Sequence, residues 1–480
     1  MAVGAERDRL LRVLVLALEL AEPIFSGNGV YGRSIVEALL RRGASVLIVC
    51  AGPERPPDAR PPELPASLRG AGLAGIVQVP LRSWGRLDRH SGWEQWAHGA
   101  AATAAPHVRH FAPDVVLAVD WTAMAAADAL LPAAGLRARP PIAFACFRVF
   151  AASEGTSAAD RAFYAAREAA AQRDASLTIA ISTVDARLLR ELQYGDGARA
   201  PPGRGAASIA PIVVLNPPLR AEIAAIANRT AVRNGSGERT LLLYCGRLAA
   251  EKNVLAFARA VALAAPALRA LGVRPALVGG GADAQLVRAA RDAVRDAFAD
   301  ALLLDFVQPA QLAPLLERTL LFVHPARYES YGMMLVEAAA LGAPLLLDER
   351  GDIGASDLLP LGSHAYGADM GSAEALAATL RELVPALVRE QRDGDGAQPA
   401  RAADRARPSP SRAVAAAARA AALARGLDEF AAELTQLLQG MLAAHAAADG
   451  ARSVERAVCD ARADADSCVA LNTCAEAVAS

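Results

Sequence analysis

Short, uninterrupted apolar runs alternate along this chain with segments in which apolar residues recur every three or four positions. Val13–Leu18 is the first run. Ser26-Gly27-Asn28-Gly29 follows it, then a segment with Ile35, Val36, Leu39 and Leu40 on one helical face and Gly43 at its end, then a second run, Val46–Cys50. The runs predict strands and the intervening period predicts a helix, so the chain opens on a βαβ unit. Further strands are expected at Val115–Val119, Ile142–Phe147, Leu177–Ile181 and Ile212–Leu215, with helices between them. Gly52–Leu64, rich in Pro and Arg, and Tyr194–Ala207 read as exposed loops.

After Asn216-Pro217-Pro218 the chain stays polar through Gly237, and a second strand–helix series then begins at Leu241 and runs to about Val384. This predicts an α/β protein of two doubly wound domains: residues 1–215 and 239–389, with a hinge at 216–238. Residues 390–412 are low in complexity and read as a mobile linker. Residues 413–480 form an alanine-rich tail. Within it Leu427, Phe430, Leu434, Leu437, Leu438 and Leu442 line one helical face.

Composition changes this picture little. The chain has 480 residues, and its formal net charge of −1 lacks the concentrated basic charge of a nucleic-acid binder. Leu10–Leu20 is short, carries Arg12 and Glu19, and leads into a glycine loop, so it reads as a first strand rather than a signal core. Nothing approaches a membrane-spanning apolar stretch, although peripheral membrane association stays open. Of six cysteines, Cys50, Cys146 and Cys245 lie in apolar runs and read as buried thiols, whereas Cys459, Cys468 and Cys474 lie in a polar tail. No disulfide framework is evident, so a cytoplasmic location is expected.

The candidate chemistry gathers around Glu329 and Glu337, which have seven residues between them. The strand Thr319–Val323 runs into this stretch. A helix with Met334, Leu335, Ala338 and Leu341 runs out of it and is stopped by Gly342 and Pro344. The first glutamate is therefore expected in a strand-to-helix loop at the carboxyl edge of a sheet, where open α/β folds bind ligands. The second is expected inside the helix. The helix start near Gly332 offers free N–H groups to an anion. A loop carboxylate, an anion site and a second carboxylate suit a nucleotide-sugar. The one Asp-x-Asp in a glycine context, Asp393-Gly394-Asp395, falls in the expected linker, and no metal site is predicted.

Five motifs in order resemble the retaining glycosyltransferases of the GT-B fold, the group 1 or family 4 class. They are the Glu329–Glu337 segment, Gly246-Arg247 with Lys252 after a strand, Ala276-Leu277-Val278-Gly279-Gly280-Gly281, Leu304-Asp305-Phe306-Val307, and Leu321-Phe322-Val323-His324-Pro325. The resemblance implies two Rossmann-like domains facing a cleft, with the nucleotide-sugar on the C-terminal domain and the acceptor on the N-terminal one. Hexose transfer would need no cofactor and no metal. By the same resemblance Arg247 and Lys252 clamp the donor diphosphate, and Glu329 holds the sugar and stabilises charge at the anomeric carbon. Glu337 holds the ribose, and Val307 meets the base through its backbone. The N–H groups around Tyr331, Gly332 and Met333 face sugar and phosphate, and Gly27 and Gly29 belong to a loop that approaches the phosphates. C-terminal helices that cross both domains are also implied.

Three departures stand out. Ser26 replaces the loop's first glycine. Gly351-Asp352-Ile353-Gly354 departs from the usual loop and resembles a less-studied eukaryotic branch. Many relatives carry a histidine after Asp-Trp, whereas here Asp120-Trp121 is followed by Thr122, leaving Asp120 and Thr122 as polar candidates. His90 is a further polar candidate, read as a loop residue, and His324 is expected only to pack. The missing histidine gives an alternative some support: a non-catalytic nucleotide-sugar-binding or scaffold relative. The acceptor is unknown from sequence.

Overall fold

The computed structural model describes residues 10–20, 26–54, 68, 72–82, 89–90, 92–153, 156–194, 210–231, 238–396 and 410–448. The first sheet contains β1 (Arg12–Glu19), β2 (Ser45–Pro53), β3 (Leu73–Leu81), β4 (Val115–Val119), β5 (Ile142–Cys146), β6 (Leu177–Ala180) and β7 (Ile212–Val214), in the order β3-β2-β1-β4-β5-β6-β7. All its pairings are parallel. Helices α1 (Gly27–Arg41), α2 (Trp93–Phe111), α3 (Asp120–Ala134), α4 (Ala158–Asp174) and α5 (Thr183–Tyr194) connect these strands. The central strands β1, β4 and β5 are covered on both faces, which is why they read as unbroken apolar runs rather than alternating ones. The strand β3 was not expected. It is an edge strand with Gly75 and Pro80 in it and largely half-buried positions, so its apolar signal is diluted.

The second sheet is also parallel and contains β8 (Leu241–Cys245), β9 (Arg274–Val278), β10 (Leu302–Leu304), β11 (Thr319–Val323), β13 (Leu345–Asp348) and β15 (Tyr366–Ala368). Its order is β10-β9-β8-β11-β13-β15. Two short strands, β12 (Tyr328–Glu329) and β14 (Asp352–Ile353), pair with each other beyond its carboxyl edge. Helices α7 (Val254–Ala270), α8 (Ala284–Ala297), α9 (Pro309–Glu317), α10 (Met333–Ala340) and α11 (Ala373–Gly396) complete this domain.

Three expectations about the connections need correction. The segment 216–238 is not a bare hinge: α6 (Ala221–Ala231) lies within it, because Ile223 and Ala227, one turn apart, bury against the second domain. The linker expected at 390–412 is helical through Gly396, since α11 continues over a run of good helix formers, and Asp393-Gly394-Asp395 sits at that helix end. The tail is two helices rather than one: α12 (Pro410–Ala424), a break at Arg425 and Gly426, and α13 (427–448). Residues 397–409 and 449–480, with the last three cysteines, lie outside the described residues.

The C-terminal helices join the two domains. Ala418 and Ala422 of α12 bury against α10 of the second domain. Phe430 of α13 meets Tyr31 of α1 edge-on, with ring centroids 6.4 Å apart. Arg425 at the break donates to the Asn216 carbonyl oxygen at 2.5 and 3.0 Å. A single apolar cluster therefore contains Tyr31 of the first domain, Tyr331 of the second and Phe430 of the tail. Among the described residues, no helix is long and apolar enough to cross a membrane.

Candidate active site

The carboxyl edges of the two sheets meet at a seam. On the second-domain side, β8 ends at Cys245 and the chain passes through Gly246-Arg247 into a 3-10 turn, Ala250–Lys252. The glycine motif of β9 explains itself here. Gly279 has φ +133°, and a Cβ on it would overlap the Gly246 carbonyl oxygen, so the chain that carries Arg247 can pass only over glycine.

Lys252 and Glu329, 77 residues apart in sequence, form a half-buried ion pair through Nζ and Oε2. His324 Nε2 lies 3.0 Å from the same carboxylate oxygen. His324 was expected only to pack. It instead stands in the site, because β11 ends at Val323 and delivers it beside Glu329. Burial acts to raise the Glu329 pKa, but Lys252 and His324 more than offset it and hold this carboxyl well below the ordinary range. Burial, with nearby Arg148 and Arg247, lowers the Lys252 amine despite its glutamate partner. Arg247 is half exposed and pairs with Glu251 at 2.9 Å.

Glu337 is separated from this group. It lies inside α10, almost fully buried, and both its oxygens accept from Arg220, Nε at 2.5 Å and Nη2 at 2.7 Å. Arg220 immediately precedes α6 and was not anticipated. A bidentate partner 117 residues away leaves no local signal. Gly332 caps α10 with φ +82°, a conformation that aims the loop back toward Glu329, and Met333 opens the helix. Tyr331 is buried and its hydroxyl has no hydrogen-bond partner among the described residues. Val307 packs, half buried, beyond the end of β10.

On the first-domain side, Gly27 and Gly29 do not form a loop. They lie in the first turn of α1, whose N-cap, Ser26, accepts from the Asn28 N–H at 3.1 Å. The serine that departs from the motif is thus the residue that starts the helix early. The buried Glu19 side chain accepts from the Ser26 backbone N–H at 2.8 Å, and a Cβ on Gly29 would come within 2.8 Å of its carboxyl carbon. Asp120 opens α3 in a left-handed conformation, φ +74°. It accepts from the Trp121 N–H at 2.6 Å and from Asn28 Nδ2 at 3.3 Å. Burial pushes its pKa up to about 7, against the lowering effect of the Trp121 N–H and Arg148. Thr122 is fully buried.

The seam itself carries contacts that no motif announces. The Tyr328 hydroxyl receives the Val149 N–H at 3.2 Å and lies 2.9 Å from the Asp185 carboxylate. Asp357 accepts from the Thr183 N–H at 2.7 Å and from Asn216 at 3.2 Å. Arg148, just beyond β5, reaches to within 4.0 Å of Glu251. A cavity of about 920 Å³ lies elsewhere, between β7 and α13, and none of these residues lines it.

Sequence comparison matches residues 239–385 to the model described as "Glycosyl transferases group 1" and residues 26–202 to the "Glycosyl transferase 4-like domain". No curated protein sequence matches. Among solved structures, the chain is similar to sucrose-phosphate synthase from Thermosynechococcus elongatus, with a TM-score of 0.65 and 16% identity over 90% of this chain and 100% of that one. It is similar to HepE from Anabaena in complex with UDP-glucose, with a TM-score of 0.57, 16% identity, and 90% and 100% coverage. It is also similar to the catalytic domain of starch synthase IV from Arabidopsis thaliana bound to ADP and acarbose, with a TM-score of 0.59, 13% identity, and 91% and 100% coverage. At these identities the likeness concerns the fold.

Proposed function

Since this chain is a group 1 glycosyltransferase of the GT-B fold, we propose that it moves a hexose from a nucleotide-sugar to an acceptor, with retention of anomeric configuration and without a metal. The observation that carries this reading is the half-buried Lys252–Glu329 pair beside Arg247. It sets a cation for a leaving diphosphate against a carboxylate for the developing charge on a sugar.

The chemistry follows from that pairing. The bond between the anomeric carbon and the β-phosphate oxygen breaks, and its electron pair leaves on the diphosphate. Arg247 and Lys252 stabilise that charge, which is the task a metal performs elsewhere. The acceptor hydroxyl attacks from the same face, and its proton passes to a departing phosphate oxygen. Glu329 remains ionised throughout the physiological pH range and stabilises the anomeric centre as positive charge develops. Asp120 faces the reaction from the first domain, where relatives use a histidine.

The test has two arms. Thermal-shift titration with UDP-, ADP- and GDP-sugars identifies the donor, because a ligand of the folded state raises its stability. Transfer with that donor should then proceed equally in EDTA, with the product retaining the donor's anomeric configuration. Complete and reversible loss of turnover on chelation, or an inverted product, counts against the reading.

A further inference from the structure

Arg148 belongs to the first domain, yet its charge faces the diphosphate clamp of the second. Its Nη1 lies 4.0 Å from Glu251 Oε1, and the same oxygen lies 2.9 Å from Arg247 Nη2. One carboxylate oxygen is therefore shared by two guanidinium groups, one from each domain. Arg148 is not a surface residue that happens to reach inward: its side chain is 17% exposed and stands over the Phe150 ring at 5.7 Å. Its backbone is held from across the seam, since the next N–H, that of Val149, donates to the Tyr328 hydroxyl, and Tyr328 directly precedes Glu329.

The charges around it do not balance. Arg148, Arg247 and Lys252 converge on Glu251 and Glu329. Burial raises the other nearby carboxyls, Asp120 to about 7 and Asp185 and Glu168 well above the ordinary range, and so opposes their charged forms. Three cations against two carboxylates leave room for a further anion. Glu251 stands between the two guanidiniums, the arrangement in which an anion bridges two cations.

We propose that Arg148 is the first domain's contact to the donor diphosphate, binding the β-phosphate together with Arg247 and Lys252 while Glu251 moves aside. This rests on the nucleotide-sugar reading above and adds a residue that none of the recognised motifs contains. The guanidinium then stabilises the departing diphosphate from the side opposite the C-terminal clamp. Because it comes from the other domain, donor binding also fastens the seam.

The experiment titrates wild type, Arg148→Gln, Arg148→Lys and Glu251→Gln calorimetrically with UDP, ADP and GDP, and with the corresponding monophosphates. Wild type must bind at least one nucleoside diphosphate. If it binds none, the nucleotide-sugar reading itself fails. Given that binding, Arg148→Gln should weaken the diphosphate about tenfold to a hundredfold, the loss of one charge-assisted contact. It should leave the monophosphate unchanged, and Arg148→Lys should recover part of the loss. Glu251→Gln should tighten the diphosphate by removing its internal competitor. The proposal is overturned if Arg148→Gln binds the diphosphate as wild type does, even when its turnover falls. It is overturned equally if monophosphate and diphosphate weaken alike. Should Arg148→Gln fail to fold by circular dichroism, Arg148→Lys carries the same comparison, because a point charge cannot reproduce the guanidinium fork.

Discussion

Glu329 and Glu337 share a motif but stand in different electrostatic settings. Glu329 shares one oxygen with Lys252 and His324, whereas Glu337 has both oxygens held by Arg220. Glu329→Gln should lower kcat about a hundredfold or more with donor KM little changed, because a charge-stabilising carboxylate contributes most in the transition state. Glu337→Gln should instead raise donor KM and lower Tm, and Arg220→Gln should do the same. Breaking a buried pair leaves its partner uncompensated, at about 3 kcal/mol. Steady-state kinetics and calorimetry on the three variants check this, and near-wild-type turnover by Glu329→Gln would remove its assigned role. Asp120 gives a pH signature. Its folded pKa, about 7, lies above its unfolded value, so its contribution to stability is complete at low pH and is lost as pH rises through about 7. The slope from this group approaches about 1.4 kcal/mol per pH unit. Glu329, held low, acts with the opposite sign, and its contribution disappears only in strong acid. Asp120→Asn should therefore melt with wild type near pH 4 and above it at pH 8. Asn28 can turn its amide to meet the new side chain, and asparagine tolerates the left-handed backbone. A Tm difference independent of pH would contradict the assignment.

At the scale of elements, α5 is capped by residues from both domains. Ser182 takes the Asp185 N–H at 3.1 Å, the local arrangement of a helix start. The Thr183 N–H, which a helix leaves without an internal partner, is taken by Asp357 from the second domain. The divergent loop Gly351–Gly354 leads into this contact, and at Gly354 a Cβ would meet the Ser182 side chain at 2.7 Å. Asp357→Ala should lower stability by about 1 kcal/mol, the usual worth of a cap. Hydrogen exchange should quicken at the first turn of α5, in the other domain from the substitution. Exchange that changes only around residue 357 would show that the cap does not couple the domains.

Across the whole molecule, the two sheets share no strand among the described residues, and side chains at the seam and the C-terminal helices join them. α12 packs on α10, α13 packs on α1, and Arg425 at their junction holds the Asn216 carbonyl. Tyr31, Tyr331 and Phe430 lie in one apolar cluster, so the domains are fastened at their backs while charged groups face one another at the seam. This division of labour suits an enzyme that brings donor and acceptor together between two sheets. The back of the molecule is apolar, whereas the seam is lined with charged groups.

Much of this was present in the sequence. Buried parallel strands are written as unbroken apolar runs and helices as a recurring period, so the two series and their order were legible locally. The places of Arg247, Lys252, Glu329 and Glu337 in the fold were legible too, because each sits at a fixed distance from a strand end or a glycine. Less legible were elements whose signal is diluted, such as β3 at the sheet edge and α6 between the domains. The tertiary structure alone decided the partners: Arg220 for Glu337, His324 for Glu329, Asp357 for Thr183, and Arg148 for Glu251. These pairs are brought together by the crossing of strands and the docking of domains, the Val149–Tyr328 contact spanning 179 residues. Sequence periodicity reports which face of an element is buried. It carries no information about which distant side chain that face will meet.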